Sequence, residues 1–386
     1  MPAPNTRQRS PADYAALFAR CVVALLCLAG LVTGCQSPSH SRALKTRNVF
    51  LITTDGLRWQ EVFGGADEAL LNDKNATANP ERMKQLYLKP TIEARRKYLL
   101  SFFWSELAAH GQLYGNQLKG SEARVTNGRN FSYPGYNEFL TGAVDPRIDS
   151  NKRIPNPNTN VFEWLNTRPR QRSKVAAVVN WNVIPWILNT PRSRLPAWSG
   201  YAPPPGAPAF PAPEILNDVV RDMTPVFSDM TFDALTQQVA LDYLDKKRPR
   251  AFYVAFGETD EWAHEGRYDR YLVAARHVDF FIHDLWETCQ SLPQYRDKTT
   301  FIITTDHGRG SGPEWKGHGE KIAGSENTWV AIIGPDTPPL GERTNCAPVT
   351  QSQVAATIAA FLGEDFNAAF PQAAPPIADA ISREGK

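Results

Sequence analysis

Asn48-Val49-Phe50-Leu51-Ile52-Thr53-Thr54-Asp55-Gly56 is a run of apolar and β-branched residues that stops at a carboxylate and a glycine. Continuous apolar character, with no polar alternate face, marks a strand buried on both sides, the habit of a parallel sheet covered by helices. Two more stretches repeat it. Phe301-Ile302-Ile303-Thr304-Thr305 runs into Asp306-His307-Gly308, and Ala251-Phe252-Tyr253-Val254-Ala255-Phe256 leads through Gly257 to Asp260. Each acid stands just past the C-terminal end of a strand, the edge where ligands collect in open α/β sheets.

Around these runs, strand-like and helix-like segments alternate. A polar loop from Glu61 to about Pro90, a helical run Leu99 to Ala109, a helix near Ser132 and a strand Lys174 to Val179 come first. A long helix Tyr268 to Leu292, a strand Thr328 to Ile333 and a closing helix follow later. The expected fold is α/β, with a mostly parallel central sheet and helices on both faces. A chain of 386 residues that is 42% hydrophobic buries one large core, so residues 48–371 read as a single domain. Between 185 and 225 the chain turns rich in proline and aromatics, which argues against regular helix or strand and marks a cap insertion or a packed surface loop.

Six side chains share a chemistry. Asp55, Asp260, His264, Asp306, His307 and His318 supply carboxylate oxygens and imidazole nitrogens, a mixture that suits zinc or manganese, with no thiolate nearby. Asp260 and His264 are four apart, so one helical turn sets both on one face. His318 sits between Gly317 and Gly319, where the backbone can approach a ligand. His40, His110, His277 and His283 are explained by capping, packing or solvation. Ser132, before Tyr133-Pro134 and an apolar helical pattern ending at Gly142, falls at or near a helix N-terminus. It is either a helix cap or a nucleophile and metal ligand whose hydroxyl a cation would acidify.

The order of these motifs resembles the alkaline phosphatase superfamily: Asp-Gly after a first strand, a hydroxyl before x-Pro and a helix ending Thr-Gly, Asp-x-x-x-His, Asp-His-Gly and a late Gly-His-Gly. Within it the likeness is to the type I phosphodiesterase and nucleotide pyrophosphatase branch, from about Asn48 to Gly363. The resemblance implies two zinc ions, one held by Asp260, His264 and His318 and the other by Asp55, Asp306 and His307 with Ser132 bound to it. It also implies hydrolysis of a small phosphate ester, monoester or diester, by in-line attack through a phosphoseryl intermediate, with the cations about 4 Å apart. An asparagine some twenty residues after the nucleophile binds phosphate in that family, and Asn151, Asn156 and Asn158 compete for the role here. Arg129 and Lys174 are further candidates for phosphate contact, beside ordinary solvation. The chain departs from the branch at Ser132, where threonine is usual, and at Gly135-Tyr136, where the branch carries Asn-His.

Two other readings stand beside this one. Ser132-Tyr133-Pro134-Gly135-Tyr136 resembles the serine form of the sulfatase signature, except that Tyr136 stands where that signature needs arginine; sulfatases also bind calcium, which three histidines suit poorly. A binding lipoprotein that holds metal or a phosphorylated envelope component without turnover is the other.

The N-terminal segment reads as an address. Arg7, Arg9 and Arg20 precede an apolar run from Cys21 to Leu31 that ends Val32-Thr33-Gly34-Cys35. This resembles a bacterial lipoprotein signal, residues 1–35, with Cys35 lipidated, a tether over 36–47 and the periplasmic face of an outer membrane as the expected site; an ordinary signal peptide is the alternative. Cys289 and Cys346 could then form a disulfide in an oxidising compartment. A flexible tail is expected over 372–386. Membrane contact would be through lipid alone, and a net charge of +2 with no dense basic run gives no reason to expect nucleic acid.

Overall fold

The computed structural model describes residues 43–382, and in it the Asn48–Thr54 run is strand β1, buried at every position. Side chains alternate between two cores: Val49 and Leu51 enter one, Phe50 and Ile52 the other. Nine more strands follow: β2 (Gly111–Tyr114), β3 (Ala123–Arg124), β4 (Val175–Val179), β5 (Ala197–Trp198), β6 (Ala251–Phe256), β7 (Thr299–Thr304), β8 (Val330–Ile333), β9 (Gly341–Glu342) and β10 (Val349–Thr350). Eight make one sheet in the order β5-β4-β6-β1-β7-β8-β2-β9. β1 pairs in parallel with β6 and β7, and β8 runs antiparallel to both β7 and β2. The expected mostly parallel sheet between helices is therefore the observed one.

The helices close both faces. Ser132–Thr141, Val161–Thr167 and Val354–Phe361 cover the face of Val49 and Leu51. Asp233–Lys247 and Tyr268–Ser291 cover the other, where Phe50 stacks on Phe301 and meets Phe252 edge-on. The Ser132 helix lies very close to the sheet end, because a Cβ on Gly135 would sit 2.3 Å from the backbone oxygen of Asp306.

Several boundaries differ from the sequence reading. The polar stretch 61–90 is largely helical, with Trp59–Gly64, Glu68–Asn72 and Pro80–Tyr87; Asp67 and Asn79 cap the last two through their side chains. The run Leu99 to Ala109 divides into the end of helix Ile92–Leu99 and a π-helical turn, Phe103–Leu107. The segment 185–225, expected to lack regular structure, holds most of helix Ile184–Ile187, helix Thr190–Ser193, strand β5 and the nine-residue helix Glu214–Asp222, which starts directly after Pro213, and Phe210 stacks on Tyr243 at 4.6 Å. Residues 44–47 belong to the fold and not to a tether: Thr46 is buried and its N–H donates to Asp336 Oδ2 at 2.6 Å. Likewise Ala373, Ile377, Ala380 and Ile381 are core residues, and the Tyr114 hydroxyl reaches Asp379 at 2.8 Å, so the expected tail is packed as far as residue 382. Cys289 and Cys346 are both free thiols. Cys35, the signal and most of the tether lie outside the described residues, among which no helix is long and apolar enough to cross a membrane.

The contact at Gly135 gives a direct test. Gly135→Ala should push the Ser132 helix off the Asp306 strand end at a cost of about 1–3 kcal/mol, read as a lower urea midpoint at unchanged slope.

Candidate metal centre

Register brings the acids together. Thr53 pairs with Ala255 on one side and Thr304 on the other, so β6, β1 and β7 finish level and release Gly257, Asp55 and Thr305-Asp306 side by side. Gly56, with φ +60, turns the chain away, and its N–H donates to Asp306 Oδ1 at 3.2 Å; a Cβ there would come within 2.5 Å of Asp260 Oδ1. After β6 the chain enters helix Glu258–His264, whose start is capped by Asp233 accepting the Gly257 N–H at 2.9 Å and the Glu258 N–H at 3.3 Å. That helix sets His264 Nε2 3.0 Å from Asp260 Oδ2, as the four-residue spacing requires.

All six proposed ligands converge. His307 Nε2 lies 3.3 Å from Asp55 Oδ1, 3.4 Å from Asp306 Oδ2 and 3.9 Å from Asp260 Oδ1. His318 Nε2 is 3.9 Å from Asp260 Oδ1 and 3.0 Å from His264 Nε2. Asp55, Asp306 and His307 form one group with ligand atoms within 4.8 Å of one another, and Asp260, His307 and His318 form a second. His307 thus stands between the two sets and not in one alone, with its ring stacked on His318 at 4.0 Å.

Burial makes this arrangement costly without a cation. Asp55, Asp306 and His307 are buried, yet Asp55 Oδ1, Asp306 Oδ2 and His307 Nε2 have no hydrogen-bond partner among the described residues. Burial and the neighbouring Asp55 push Asp306 well above the ordinary carboxylate range. Burial pulls His307 down, but Asp306, Asp55 and Asp260 outweigh it and lift it to about 9. Burial and the His307 charge bring His318 down to about 2, which keeps it neutral. Orphaned oxygens and nitrogens of this kind fit a divalent ion of the zinc type.

Backbone carbonyls orient the imidazoles. His307 Nδ1 lies 2.8 Å from Gly308 O and His318 Nδ1 lies 3.2 Å from Asn130 O, so donation there leaves each Nε2 lone pair free for a metal. Asn130 has φ 53, a left-handed turn immediately before Phe131-Ser132. Glu138 holds the approach to that turn, accepting the Thr126 N–H at 2.9 Å and the Asn127 N–H at 3.1 Å.

Ser132 is the first residue of its helix, with Phe131 at the cap position and no side-chain capping bond. The capping role raised from sequence is therefore absent. Its hydroxyl has no hydrogen-bond partner among the described residues, although the residue is only 5% exposed. Asn151 Oδ1 accepts the Tyr133 N–H at 2.9 Å, which puts Asn151 at the start of the Ser132 helix. Asn156 and Asn158 point their amides at Asn137 Oδ1, each at 3.1 Å, and brace the loop. Arg129 pairs with Glu320 at 3.3 Å, and Lys174 precedes β4, at the opposite end of the strands from the acids.

Two members of the site were not assigned a role from sequence. The Tyr136 hydroxyl, one helical turn after Ser132, donates to Asp55 Oδ2 at 3.1 Å from a fully buried ring. Arg309, in Gly308-Arg309-Gly310, is buried against Asp260. No local pattern distinguishes either from a core tyrosine or a surface arginine. Tyr136→Phe should free Asp55 Oδ2 and weaken zinc at the Asp55, Asp306 and His307 group about 10- to 100-fold, measured by competition with a chromophoric chelator.

No family model matches the chain, and no curated protein matches it either. Solved structures do. The alkaline phosphatase PafA aligns over 88% of this chain and 99% of its own at 11% identity, with a TM-score of 0.54. The lipoteichoic acid synthase LtaP from Listeria monocytogenes aligns over 88% and 75% at 9% identity, with a TM-score of 0.53. A 2-O GAG sulfatase, BT1596, aligns over 88% and 75% at 12% identity, with a TM-score of 0.51. At these identities the likeness is one of architecture, and the architecture of this chain is the alkaline-phosphatase-like fold.

Proposed function

We propose that the chain is a two-metal hydrolase of phosphoric esters, with Ser132 as its nucleophile. The observation that carries this reading is the set of buried, unpartnered ligand atoms of Asp55, Asp306 and His307, beside a helix whose first residue is Ser132. That helix abuts both acids, through Tyr136 to Asp55 and through Gly135 to Asp306. Asp55, Asp306, His307, Asp260, His264 and His318 would hold two divalent ions, zinc or manganese by donor type. Bound there, the cations would acidify the serine hydroxyl and offset charge on the transferring phosphoryl group.

Ser132 Oγ attacks phosphorus in line and gives up its proton, which passes through solvent to the departing alcohol. The opposite P–O bond breaks, its electron pair leaving with the alcohol. Water then attacks the phosphoseryl group, the P–Oγ bond breaks, and Ser132 is regenerated with release of phosphate or a phosphomonoester. Asn151 commits only its Oδ1 to Tyr133, so its amide hydrogens remain for a phosphate oxygen. Burial, with the charges of Asp229 and of Glu261 beside Asp260, raises the Tyr201 phenol, and Asp229 also accepts from the Trp181 indole at 2.9 Å. Tyr201 belongs to the proline-rich segment, which supports a part for that segment in leaving-group choice.

The same architecture carries a sulfatase, so sulfuric esters are the second reading. Three imidazoles favour zinc over calcium and hence phosphate. Elemental analysis separates the two: about two zinc ions and an unmodified Ser132 support the phosphatase, whereas one calcium with formylglycine at position 132 supports the sulfatase.

We further propose that Cys35 is lipidated and anchors the protein at the periplasmic side of an outer membrane. The basic and apolar leader before it supports this. Cys35→Ala should lose the lipid mass and the membrane-bound fraction together.

Hydrolysis of p-nitrophenyl phosphate and bis-p-nitrophenyl phosphate with added Zn²⁺ or Mn²⁺ tests the activity. Ser132→Ala should lower kcat by roughly three orders of magnitude or more while retaining metal. Equal rates in both proteins would remove Ser132 from the chemistry, and inactivity of the wild type on both esters would favour a binding protein.

A further inference from the structure

We propose that Arg309 is a positioning residue for the half of the site built by Asp260, His264 and His318, a strut that ties the helix carrying the first two to the loop carrying the third. The inference rests on the two-metal reading above and assigns a task to a residue that reading leaves unused.

Arg309 is fully buried, and a buried guanidinium is tolerated only when its donors are matched. Its Nη1 donates to Asp260 Oδ1. Its Nε donates to Trp315 O at 3.1 Å, and its Nη2 donates to Lys316 O, with His264 Nδ1 a further 3.4 Å contact of that nitrogen. One planar group therefore spans helix Glu258–His264 and two consecutive carbonyls of the turn Gly312–Lys316, which ends two residues before His318.

The rest of this loop is held differently. Trp315 is buried edge-on against Tyr268 at 5.2 Å and Tyr271 at 5.7 Å, which fixes the middle of the loop. Arg58 Nη1 holds Gly310 O at 3.1 Å, which fixes its entry. Among the described residues Arg309 supplies the hydrogen bonds that tie the carbonyls at its exit to the Asp260 helix, beside the 3.0 Å approach of His318 to His264. Two neutral carbonyls and one carboxylate in a single plane demand the fork of an arginine, which the point charge of a lysine cannot reproduce. Among the described residues no arginine hydrogen-bonds Asp55, Asp306 or His307, so loss of Arg309 should weaken the Asp260 half of the site more than the other.

The test is zinc titration of the metal-free full chain by chelator competition, with hydrogen exchange followed on the same protein. The wild type should take up two ions. Arg309→Met should hold the first unchanged, bind the second at least about 10-fold more weakly, and exchange faster over residues 311–318 but not over 299–304. Arg309→Lys keeps the charge without the fork and should remain weak for the second ion; it decides the matter if the methionine variant fails to fold. Unchanged uptake and exchange in Arg309→Met, tighter second binding in it, or full recovery in Arg309→Lys would each overturn the strut. Wild-type protein that takes up no zinc would instead overturn the metal reading, and exchange over 311–318 would still report on the strut.

Discussion

Carboxylates crowded at the level ends of three parallel strands are the constraint around which the structure is arranged. Asp55 and Asp306 leave neighbouring strands with ligand oxygens within 4.8 Å of each other, both buried. Two like charges at that separation repel by roughly 3–4 kcal/mol at an effective dielectric constant near 20. The repulsion is relieved by the proton that the raised Asp306 carboxyl retains and by His307, lifted to about 9, and a cation in their place would relieve it as well. The crowding follows from the register of β6, β1 and β7, because a one-residue slip would turn these side chains to opposite faces.

Around this centre the buried polar groups act as scaffolding. Arg58 leaves the loop after β1 and binds Glu61 through Nε at 2.8 Å, while Glu61 also accepts from the Tyr268 hydroxyl at 2.9 Å. The Tyr271 hydroxyl takes the Arg58 N–H at 2.9 Å. These bonds clamp the exit of the first strand to the long helix Tyr268–Ser291, and through Gly310 to the loop that leads to His318. On the other side Glu138 and Asn130 fix the turn into the Ser132 helix. The ligands are therefore held by partners on separate elements, which keeps the geometry rigid.

Much of this was legible in the chain because its signals are local. A continuous apolar run followed by Asp-Gly or Asp-His-Gly reports a buried strand and its exposed end directly, and the four-residue interval between Asp260 and His264 reports a shared helical face. Arg309 gives no such signal, since its role comes from carbonyls and a carboxylate that only the tertiary fold brings near. Tyr136 read as a departure from a family pattern, and only the helix packing shows that its hydroxyl reaches Asp55. The segment 372–386 read as a tail from its terminal position, yet Asp379 pairs with Arg343 at 2.6 Å and the flanking apolar residues fill the core.

The place of β1 bears on how the polypeptide reaches its final form. It is the first strand among the described residues, yet its partners begin with Ala251 and Thr299, and Ile377, Ala380 and Ile381 complete the packing on one face of the sheet. The central strand has both neighbours only once the chain as far as Thr304 is in place, so closure of these long loops makes acquisition of the native state slow. Until those partners arrive, the segment from Val49 to Thr54 is an apolar ribbon with open edges, the kind of segment through which chains self-associate.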